Sequence, residues 1–478
     1  MRSVIVVGGG ISGLAAAWQL RGRAEVTVLE SQARIGGKLR TGRLAGVAVD
    51  EGAESVMALR PEAVELAEAV GLGDALSDPA PAPVTVWTRG ALRPMPPGHL
   101  LGIPSDPAAL AGTGLLSEEG LAFLRAEPDR PAPPVTDDVA ISAYLSGRIG
   151  REAVDHLVEP LLGGVYAGST DALSLRSAMP GVAALAARGG PLLPAIGGRP
   201  RPSGSFVRGI AGGTERLPLA VARTSGARVL TGTAVRSLER TASGTWRVHA
   251  ATADGPLLLT ADAVILAVPA FAAAALLRPH APTAHTALSA IPYASTAVVT
   301  MAFVRDRPGA HALPSGNGFL VPPVDGLTVK AATFLSSKWR WQAEAAPHLF
   351  LLRASIGRAG EEHLVDRPDR HLVRTALHDL HLAAGPTGEP LAARVTRWER
   401  GLPQYTVGHA ARLARIREDV ARLPGLEVCG AAYEGVGIAA CVATGFAAAR
   451  RVAEALGAPD SGGPGEDVRE GARVAPAG

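Results

Sequence analysis

Cysteine is nearly absent from this chain of 478 residues, which contains only Cys429 and Cys441. The two cysteines form no CxxC or Cys/His pattern, so we infer neither a disulfide framework nor a zinc site, and we expect no bound metal. Aromatic residues make up only 4% of the chain, and the basic residues are scattered, with a formal net charge of +3. A nucleic-acid partner is therefore not expected.

Long uninterrupted apolar runs are also missing. The best candidate for a membrane span, residues 257–277, is interrupted by Asp262 and Pro269 and is better explained as a strand followed by a helix. The N-terminus begins directly with a strand pattern and shows no signal peptide. We therefore expect a cytoplasmic protein, and membrane association is not expected.

The first forty residues carry the strongest motif. The β-branched run Val4–Val7 is followed by Gly8-x-Gly10-x-x-Gly13, a helical stretch and a second strand that ends at Glu30. This order predicts a βαβ dinucleotide-binding unit. Gly8 allows the tight turn, Gly10 lets a pyrophosphate approach the backbone, and Gly13 lets helix and strand pack closely. The helix N-terminus offers N–H groups and the positive end of the helix dipole to the phosphates.

The residues from Glu30 onward indicate which dinucleotide is bound. Glu30 is placed to accept hydrogen bonds from both ribose hydroxyls of an adenosine, and its charge disfavours the 2′-phosphate of NADP. Arg34, Gly37 and Lys38 then form a second loop near the phosphates, which NAD dehydrogenases do not need. The pattern of this loop resembles the FAD-binding extension of the amine oxidase and protoporphyrinogen oxidase superfamily, and the resemblance implies FAD as the cofactor. The predicted cofactor-binding residues of this region are Gly8, Gly9, Gly10, Ile11, Ser12, Gly13, Glu30, Ser31, Arg34, Gly37 and Lys38.

The length of the chain requires two or three domains, and the alternation of strand and helix patterns predicts an α/β fold. A series of strands ending at residues 263–268 is interpreted as the return of the chain to the dinucleotide domain. Later strands predict a mostly antiparallel sheet. We predict a discontinuous Rossmann-type FAD-binding domain (residues 1–75, 205–275 and 392–457), an α+β substrate-binding domain (76–95 and 276–391), a mainly helical insertion (96–204) and a disordered tail (458–478).

One segment of the predicted helical insertion has a composition typical of a loop. Residues 180–204 are rich in glycine and proline and carry three arginines. We interpret them as a mobile loop or lid, with a plain surface linker as the alternative.

Several stretches resemble the porphyrinogen oxidase family of heme synthesis, within the superfamily of flavin amine oxidases. These stretches are residues 159–168, 209–218, 352–358 and 402–409. Residues 49–55 look like the superfamily segment that runs past the isoalloxazine ring of the flavin. Residues 429–445 look like the flavin-ring segment of the family. The chain departs from the family at Lys38, where arginine is commoner, and at Ala440, where relatives usually carry aspartate. Lysine keeps the charge of arginine but loses its two-pronged geometry.

The resemblance implies oxidation of coproporphyrinogen III to coproporphyrin III, because the composition is similar to that of soluble actinobacterial members with this activity. Six electrons leave in pairs as hydride to N5 of FAD, so no catalytic side chain is expected. A second GxGxxG motif is missing, which favours oxygen as the acceptor and hydrogen peroxide as the product. Further FAD contacts are implied for Gly52, Ala53, Glu54, Ser55, Val235, Trp398, Gly430, Val436, Gly437 and Ile438.

The propionates of the substrate require basic side chains near the pocket. Arg60 is the first candidate, with a solvated arginine at a helix start as the alternative. Arg176 and Arg199 are weaker candidates. Trp398 and Tyr405 are predicted to line the flavin or the pocket, with ordinary core aromatics as the alternative.

Three other functions stay open. The substrate could be protoporphyrinogen IX, or the chain could be a flavin amine oxidase or carotenoid desaturase of the same superfamily. A non-catalytic FAD protein is the alternative from another class. The resemblance also implies a transient contact with a ferrochelatase.

Overall fold

A computed structural model describes residues 1–200, 204–305, 315–385 and 388–457 of the chain. Its strands in these ranges are, in chain order, β1 Arg2–Val7, β2 Ala24–Leu29, β3 Thr41–Leu44, β4 Val47–Asp50, β5 Val56–Met57, β6 Leu76–Ser77, β7 Thr85–Thr88, β8 Ala91–Pro94, β9 His99–Leu100, β10 Ile103–Pro104, β11 Val207–Ile210, β12 Arg228–Leu230, β13 Ala234–Arg240, β14 Trp246–Thr252, β15 Gly255–Ala261, β16 Ala263–Leu266, β17 Tyr293–Val304, β18 Gly318–Leu320, β19 Val329–Thr333, β20 Leu349–Ile356, β21 Ala392–Pro403 and β22 Leu426–Val428.

The helices fill the spaces between and around these strands. They are α1 Ile11–Gln19, α2 Pro61–Ala69, α3 Glu118–Arg125, α4 Ile141–Ile149, α5 Arg151–Ala153, α6 Glu159–Tyr166, α7 Leu175–Ala178, α8 Pro180–Arg188, α9 Leu192–Gly197, α10 Arg216–Ser225, α11 Ala270–Leu277, α12 Pro282–Ser289, α13 Leu335–Lys338, α14 Arg340–Ala345, α15 Glu362–Val365, α16 Asp369–Ala384, α17 His409–Val420 and α18 Ile438–Ala455. A π-helical turn over Val154–Val158 connects α5 to α6.

A five-stranded parallel sheet carries the predicted βαβ unit, in the order β12-β2-β1-β16-β22. Its central strand is apolar on both faces, as a doubly covered parallel strand requires. Val4 and Val6 face the core that contains α1 and α18, whereas Ile5 and Val7 face the core that contains α11 and α12. The predicted return of the chain is confirmed, since β16 pairs with β1.

Helices α1 and α18 pack against each other at very short range. A Cβ added at Gly445 of α18 would lie 2.3 Å from the carbonyl oxygen of Ser12 in α1. The helices can approach so closely at this point because small residues meet there, Gly445 facing Ser12 and Ala15, and the contact joins the first and last helices of the described residues.

A seven-stranded sheet forms a second layer, in the order β21-β17-β20-β19-β18-β7-β8. Its strand pairs are antiparallel except for β18 and β7, so the prediction of a mostly antiparallel sheet is confirmed. Helix α16 covers one face of this sheet through Leu372, Ala376 and Leu380. The domain boundaries given above stay predictions.

The interpretation of residues 180–204 as a mobile lid or linker is wrong for most of the segment. Residues 180–188 and 192–197 form α8 and α9, and their apolar side chains Val182, Leu185, Leu193 and Ile196 are buried in the helical core. Pro180 does not break α8, because proline is tolerated in the first turn of a helix.

The predicted disordered tail, residues 458–478, lies outside the described residues. Among the helices that the structure does describe, none combines the length and apolar character that crossing a membrane requires.

Candidate active site

The glycine-rich turn after β1 is shaped by close backbone packing. Gly8 has a φ of +109°, and a Cβ added there would lie 2.5 Å from the carbonyl oxygen of Ala267. A Cβ at Gly13 would lie 2.1 Å from the carbonyl oxygen of Gly8. A Cβ at Gly10, in contrast, would meet no atom within 4 Å. Gly8 and Gly13 therefore serve the packing of the turn, while the open side of Gly10 is available to a ligand.

Two helices begin at the carboxyl edge of the parallel sheet with uncapped N-termini. Helix α1 follows Gly10 and helix α18 follows Gly437, and neither glycine can supply a side-chain cap for the first N–H groups. Gly437 resembles Gly10 in that an added Cβ would meet no atom within 4 Å. Both helices thus direct free N–H groups and a positive dipole end into open space, an arrangement that suits the pyrophosphate and an electron-rich ring edge.

Glu30 lies directly after β2 and is only 8% exposed. Its carboxylate accepts hydrogen bonds from the backbone N–H of Gly9 at 2.8 Å and of Gln32 at 2.7 Å. A carboxylate has about four lone-pair positions, so acceptor capacity is left for ribose hydroxyls. The backbone N–H of Thr233 donates to the Glu30 carbonyl oxygen, which brings the start of β13, with the predicted residue Val235, next to this site.

The loop that follows Glu30 covers the glycine-rich turn. A Cβ at Gly37 would lie 3.3 Å from the Cα of Gly10. The Arg34 guanidinium holds the loop through the carbonyl oxygens of Ile35 and Gly37. Lys38 is half-buried and has no ion-pair partner within the described ranges, and desolvation lowers its pKa. Lys38 is therefore the side chain of this loop that is free to meet a phosphate.

The segment Gly52–Ser55 is fixed by a buried group of charges that the sequence analysis did not identify. Glu54 forms ion pairs with Lys338 and, at 3.1 Å, with Arg353. Burial raises the pKa of Glu54, but the two cations more than offset this and lower it overall. Arg353 also donates to the Gly52 carbonyl oxygen at 2.7 Å. Arg353 lies in residues 352–358, one of the stretches that resemble the porphyrinogen oxidase family, and this resemblance was the only feature of the sequence that could have pointed to it.

Trp398 supports the same segment from β21. Its indole N–H donates to the Glu51 carbonyl oxygen at 2.7 Å, and its ring would lie 3.0 Å from a Cβ at Gly52. The Glu51 carboxylate is buried between Arg40 and Arg394, each at 2.6 Å. The second sheet thereby fixes the backbone next to the candidate flavin ring position.

Asp50 ends β4, two residues before the segment Gly52–Ser55, and links this part of the chain to the loop before α10. Its carboxylate accepts hydrogen bonds from the N–H and hydroxyl of Thr214 and from the hydroxyl of Thr41. Burial raises the pKa of Asp50 to about 6, although these hydrogen bonds act in the opposite direction.

Tyr405 lies beneath the C-terminal ring segment and is 1% exposed. Its hydroxyl donates to the carbonyl oxygen of Ala431 at 2.6 Å and accepts from the N–H of Gly435 at 2.8 Å. Its ring stacks on His409 with a centroid distance of 4.0 Å. The hydroxyl thus bridges the two ends of the loop that leads into Val436, Gly437 and α18, rather than pointing into a pocket.

The structure brings only one of the predicted propionate-binding arginines to the ring segment. Arg60 is half-exposed, pairs with Glu62 at 3.0 Å, and has Nη1 3.9 Å from the position of a Cβ on Gly435. Arg176 instead donates to the Thr136 carbonyl oxygen, and Arg199 lies near Gly181, both within the helical region. The substrate roles of these arginines and of Tyr405 stay predictions.

Within the part of the chain that the structure describes, no group of three or more His, Cys, Asp or Glu side chains is arranged to hold a metal ion.

The chain is similar to known proteins over nearly its whole length. The chain matches the family described as flavin containing amine oxidoreductase over residues 11–453. It is 36% identical over 471 residues to the coproporphyrinogen III oxidase of Mycobacterium tuberculosis strain H37Rv, covering 96% of this chain and 98% of the relative. It is 32% identical over 470 residues to the coproporphyrinogen III oxidase of Bacillus subtilis strain 168, covering 94% and 97%.

A solved structure is similar over the same length. A crystal structure from Exiguobacterium sp. 255-15, provisionally assigned as a protoporphyrinogen oxidase, superposes with a TM-score of 0.84 at 33% identity and covers 95% of this chain and 99% of the other. The predicted Rossmann-type α/β class is confirmed by this likeness and by the parallel sheet.

Proposed function

The chain belongs to the family of flavin-containing amine oxidoreductases, and from this membership we propose that it oxidises coproporphyrinogen III to coproporphyrin III with bound FAD. The observation that carries the proposal is the near full-length similarity, at 32–36% identity, to relatives named coproporphyrinogen III oxidase. The enzyme is a flavin-dependent oxidoreductase, and heme synthesis is the pathway to which this reaction belongs.

The residues present fit the cofactor. Gly10 and Gly437 leave open space in front of two uncapped helix N-termini, as a pyrophosphate and a flavin ring need. Glu30 would hold the adenosine ribose, and the unpaired Lys38 would meet a phosphate. When bound, FAD supplies a two-electron acceptor at N5.

The protein's own contribution is binding and orientation. The Glu54 ion pairs and the Trp398 hydrogen bond hold the segment Gly52–Ser55, and Tyr405 holds the loop that leads into α18. Pyrrole N–H protons can leave to solvent, so no general base is required. Arg60, next to Gly435, is the cation that we assign to a substrate propionate.

Oxygen is the proposed electron acceptor, with hydrogen peroxide as the product and about three oxygen molecules consumed per porphyrin, because six electrons leave in pairs. We also propose a cytoplasmic location, which is supported by two cysteines that are both free and buried. The contact with a ferrochelatase stays a prediction.

The test compares Arg60→Ala with Arg43→Ala, because Arg43 is exposed and, among the described residues, donates a hydrogen bond only to the Gly46 carbonyl oxygen. Arg60→Ala should raise the KM for coproporphyrinogen III by at least about tenfold, an effect of about 1.4 kcal/mol, with normal flavin content. It should affect protoporphyrinogen IX less, because fewer carboxylates lose a partner. Arg43→Ala should leave the KM for both substrates unchanged.

Three results would contradict the proposal. A higher kcat/KM for protoporphyrinogen IX in the unmodified enzyme would favour the alternative substrate. An amine or carotenoid substrate with the highest turnover would move the chain to another branch of the superfamily. An absence of turnover in fully flavinated protein would support a non-catalytic role. If Arg60→Ala raised the KM for both substrates equally, the oxidase proposal would stand but Arg60 would not be the residue that binds a propionate. Arg176 and Arg199 would then be the next candidates.

A further inference from the structure

Gln404 is a buried glutamine at the end of β21. It is 4% exposed and follows Pro403, the last residue of that strand. Its side-chain Nε2 donates hydrogen bonds to the carbonyl oxygen of Tyr166, at 2.7 Å, and to that of Leu402, at 3.0 Å. Breaking such a contact is costly, because it leaves a buried carbonyl group without its donor. Gln404 therefore ties the end of α6 to the end of β21.

The backbone at the end of α6 needs such support. Ala167, the residue that follows α6, has a φ of +50°, a left-handed conformation that residues other than glycine rarely adopt. Its carbonyl oxygen accepts a hydrogen bond from the N–H of Ala359 at 2.7 Å. The next residue, Gly168, lies directly against Gln404, since an added Cβ would be 2.2 Å from Gln404 Oε1. Backbone strain of this kind persists where the surrounding contacts fix it, and it is concentrated at functional sites.

The residue after Gln404 binds the loop that leads into α18. Tyr405 holds this loop, residues 430–437, through the two hydrogen bonds of its hydroxyl group. The ring centroids of Tyr405 and Tyr166 lie 5.5 Å apart, and Val436 of the loop packs against the same apolar cluster. Two consecutive side chains thus hold the end of α6 and the loop that leads into α18 next to each other.

The end of α6 also exposes apolar surface. Val165 is 44% exposed, although its neighbours Leu162 and Tyr166 in the same helix are buried in the helical core. Gly164 is exposed as well, and an added Cβ there would reach only Leu320, at 3.7 Å. This apolar edge immediately precedes Tyr166 in the chain and so lies close to the loop that leads into α18. Such a surface suits the apolar macrocycle of a tetrapyrrole.

We propose that Gln404 is a positioning residue for substrate binding, which holds the exposed edge of α6 at Gly164 and Val165 beside the loop of residues 430–437. The macrocycle of the substrate rests on this edge, while Arg60 meets a propionate. Gln404 is buried and acts through α6, so its removal displaces the edge without removing a group that contacts the substrate. The inference rests on the proposed oxidation of coproporphyrinogen III.

Two matched substitutions in the full-length, FAD-loaded enzyme test this role. Gln404→Met keeps the length of the side chain and removes its hydrogen bonds. Gln342→Met is the control, because Gln342 is 1% exposed and its Nε2 donates to the carbonyl oxygen of Ala48 in β4, at 3.0 Å, rather than to α6. Both variants should unfold at lower urea. Only Gln404→Met should raise the KM for coproporphyrinogen III and the calorimetric Kd for coproporphyrin III, each by at least about tenfold. Its kcat should change by less than about threefold and its flavin content should stay normal, which separates substrate positioning from a general loss of structure.

Gly168→Ala approaches the same amide from the other side and serves if Gln404→Met does not fold. Its added Cβ would displace the Gln404 side chain, so it should raise the same KM and Kd. Unchanged KM and Kd in the folded variants, an equal rise in Gln342→Met, or a parallel loss of flavin would overturn the positioning role. The Kd needs no turnover, so an unmodified enzyme that binds coproporphyrin III without oxidising coproporphyrinogen III would contradict the proposed function alone. An unmodified enzyme that does neither would contradict both proposals.

Discussion

Tyr405 and Tyr433, two buried tyrosines near the flavin-ring segment 429–445, allow a sharp test of what a buried hydroxyl contributes. The Tyr405 hydroxyl makes two hydrogen bonds to the loop, to Ala431 and Gly435. The Tyr433 hydroxyl is also buried, but it has no hydrogen-bond partner among the described residues. Tyr405→Phe therefore removes a hydrogen-bonded hydroxyl oxygen, whereas Tyr433→Phe removes one from a neighbouring site that has no hydrogen bond.

The expected magnitudes follow from this difference. Tyr405→Phe loses two hydrogen bonds worth about 1 kcal/mol each, and it leaves a buried N–H and carbonyl group unsatisfied. We expect the free energy of unfolding to fall by about 2–3 kcal/mol. Tyr433→Phe removes a desolvated hydroxyl that gains nothing in the fold, so its effect should be within about 0.5 kcal/mol or stabilising.

Urea unfolding of the FAD-loaded enzyme, followed by flavin fluorescence, measures both variants under the same conditions. FAD release should occur at lower urea for Tyr405→Phe, because the loop that it bridges leads directly into Gly437 and α18. If Tyr433→Phe destabilises the enzyme as much as Tyr405→Phe does, the hydrogen bonds of Tyr405 do not hold the loop and the reasoning is refuted.

Three further predictions concern the cofactor domain. Gly10→Val should abolish pyrophosphate binding and give a colourless protein, and normal flavin absorbance in that variant would contradict the assigned role of Gly10. Gly445→Ala should destabilise the enzyme by about 1–3 kcal/mol through overpacking against α1, whereas Gly147→Ala, in open space on α4, should stabilise it by about 0.4–1 kcal/mol in the same thermal or urea assay. Burial raises the pKa of Asp50 to about 6, so folding favours the protonated carboxyl group, and the free energy of unfolding should fall as pH rises from about 4 to about 6. Asp50→Asn should remove about 3 kcal/mol of this pH dependence, which urea titrations across that range would measure.

The local part of the site could be predicted from the sequence because its signals are local. Gly8, Gly10, Gly13 and Glu30 lie within one strand–helix–strand unit, and their spacing alone fixes their geometry. The return strand at residues 263–266 was predictable from its apolar, β-branched composition, which a doubly covered parallel strand needs.

The remainder depends on contacts between distant residues. No periodicity indicates that Arg353 and Lys338 meet Glu54, because these residues lie about 300 positions from it in the chain and only the folded structure brings them together. The error at residues 180–197 has a related cause. Glycine and proline favour turns locally, but the buried leucines of α8 and α9 decide the outcome through packing against the helical core.

The close contact of α1 with α18 has a consequence for synthesis on the ribosome. The parallel sheet combines strands from the beginning, the middle and the end of the chain, and α18 is the last helix of the described residues to emerge. The candidate cofactor site uses two uncapped helix ends, the one that follows Gly10 and the one that follows Gly437 at the start of α18. The nascent chain therefore cannot complete its flavin site until almost all of it has left the exit tunnel, and a ribosome stalled before α18 should carry a chain that retains no flavin.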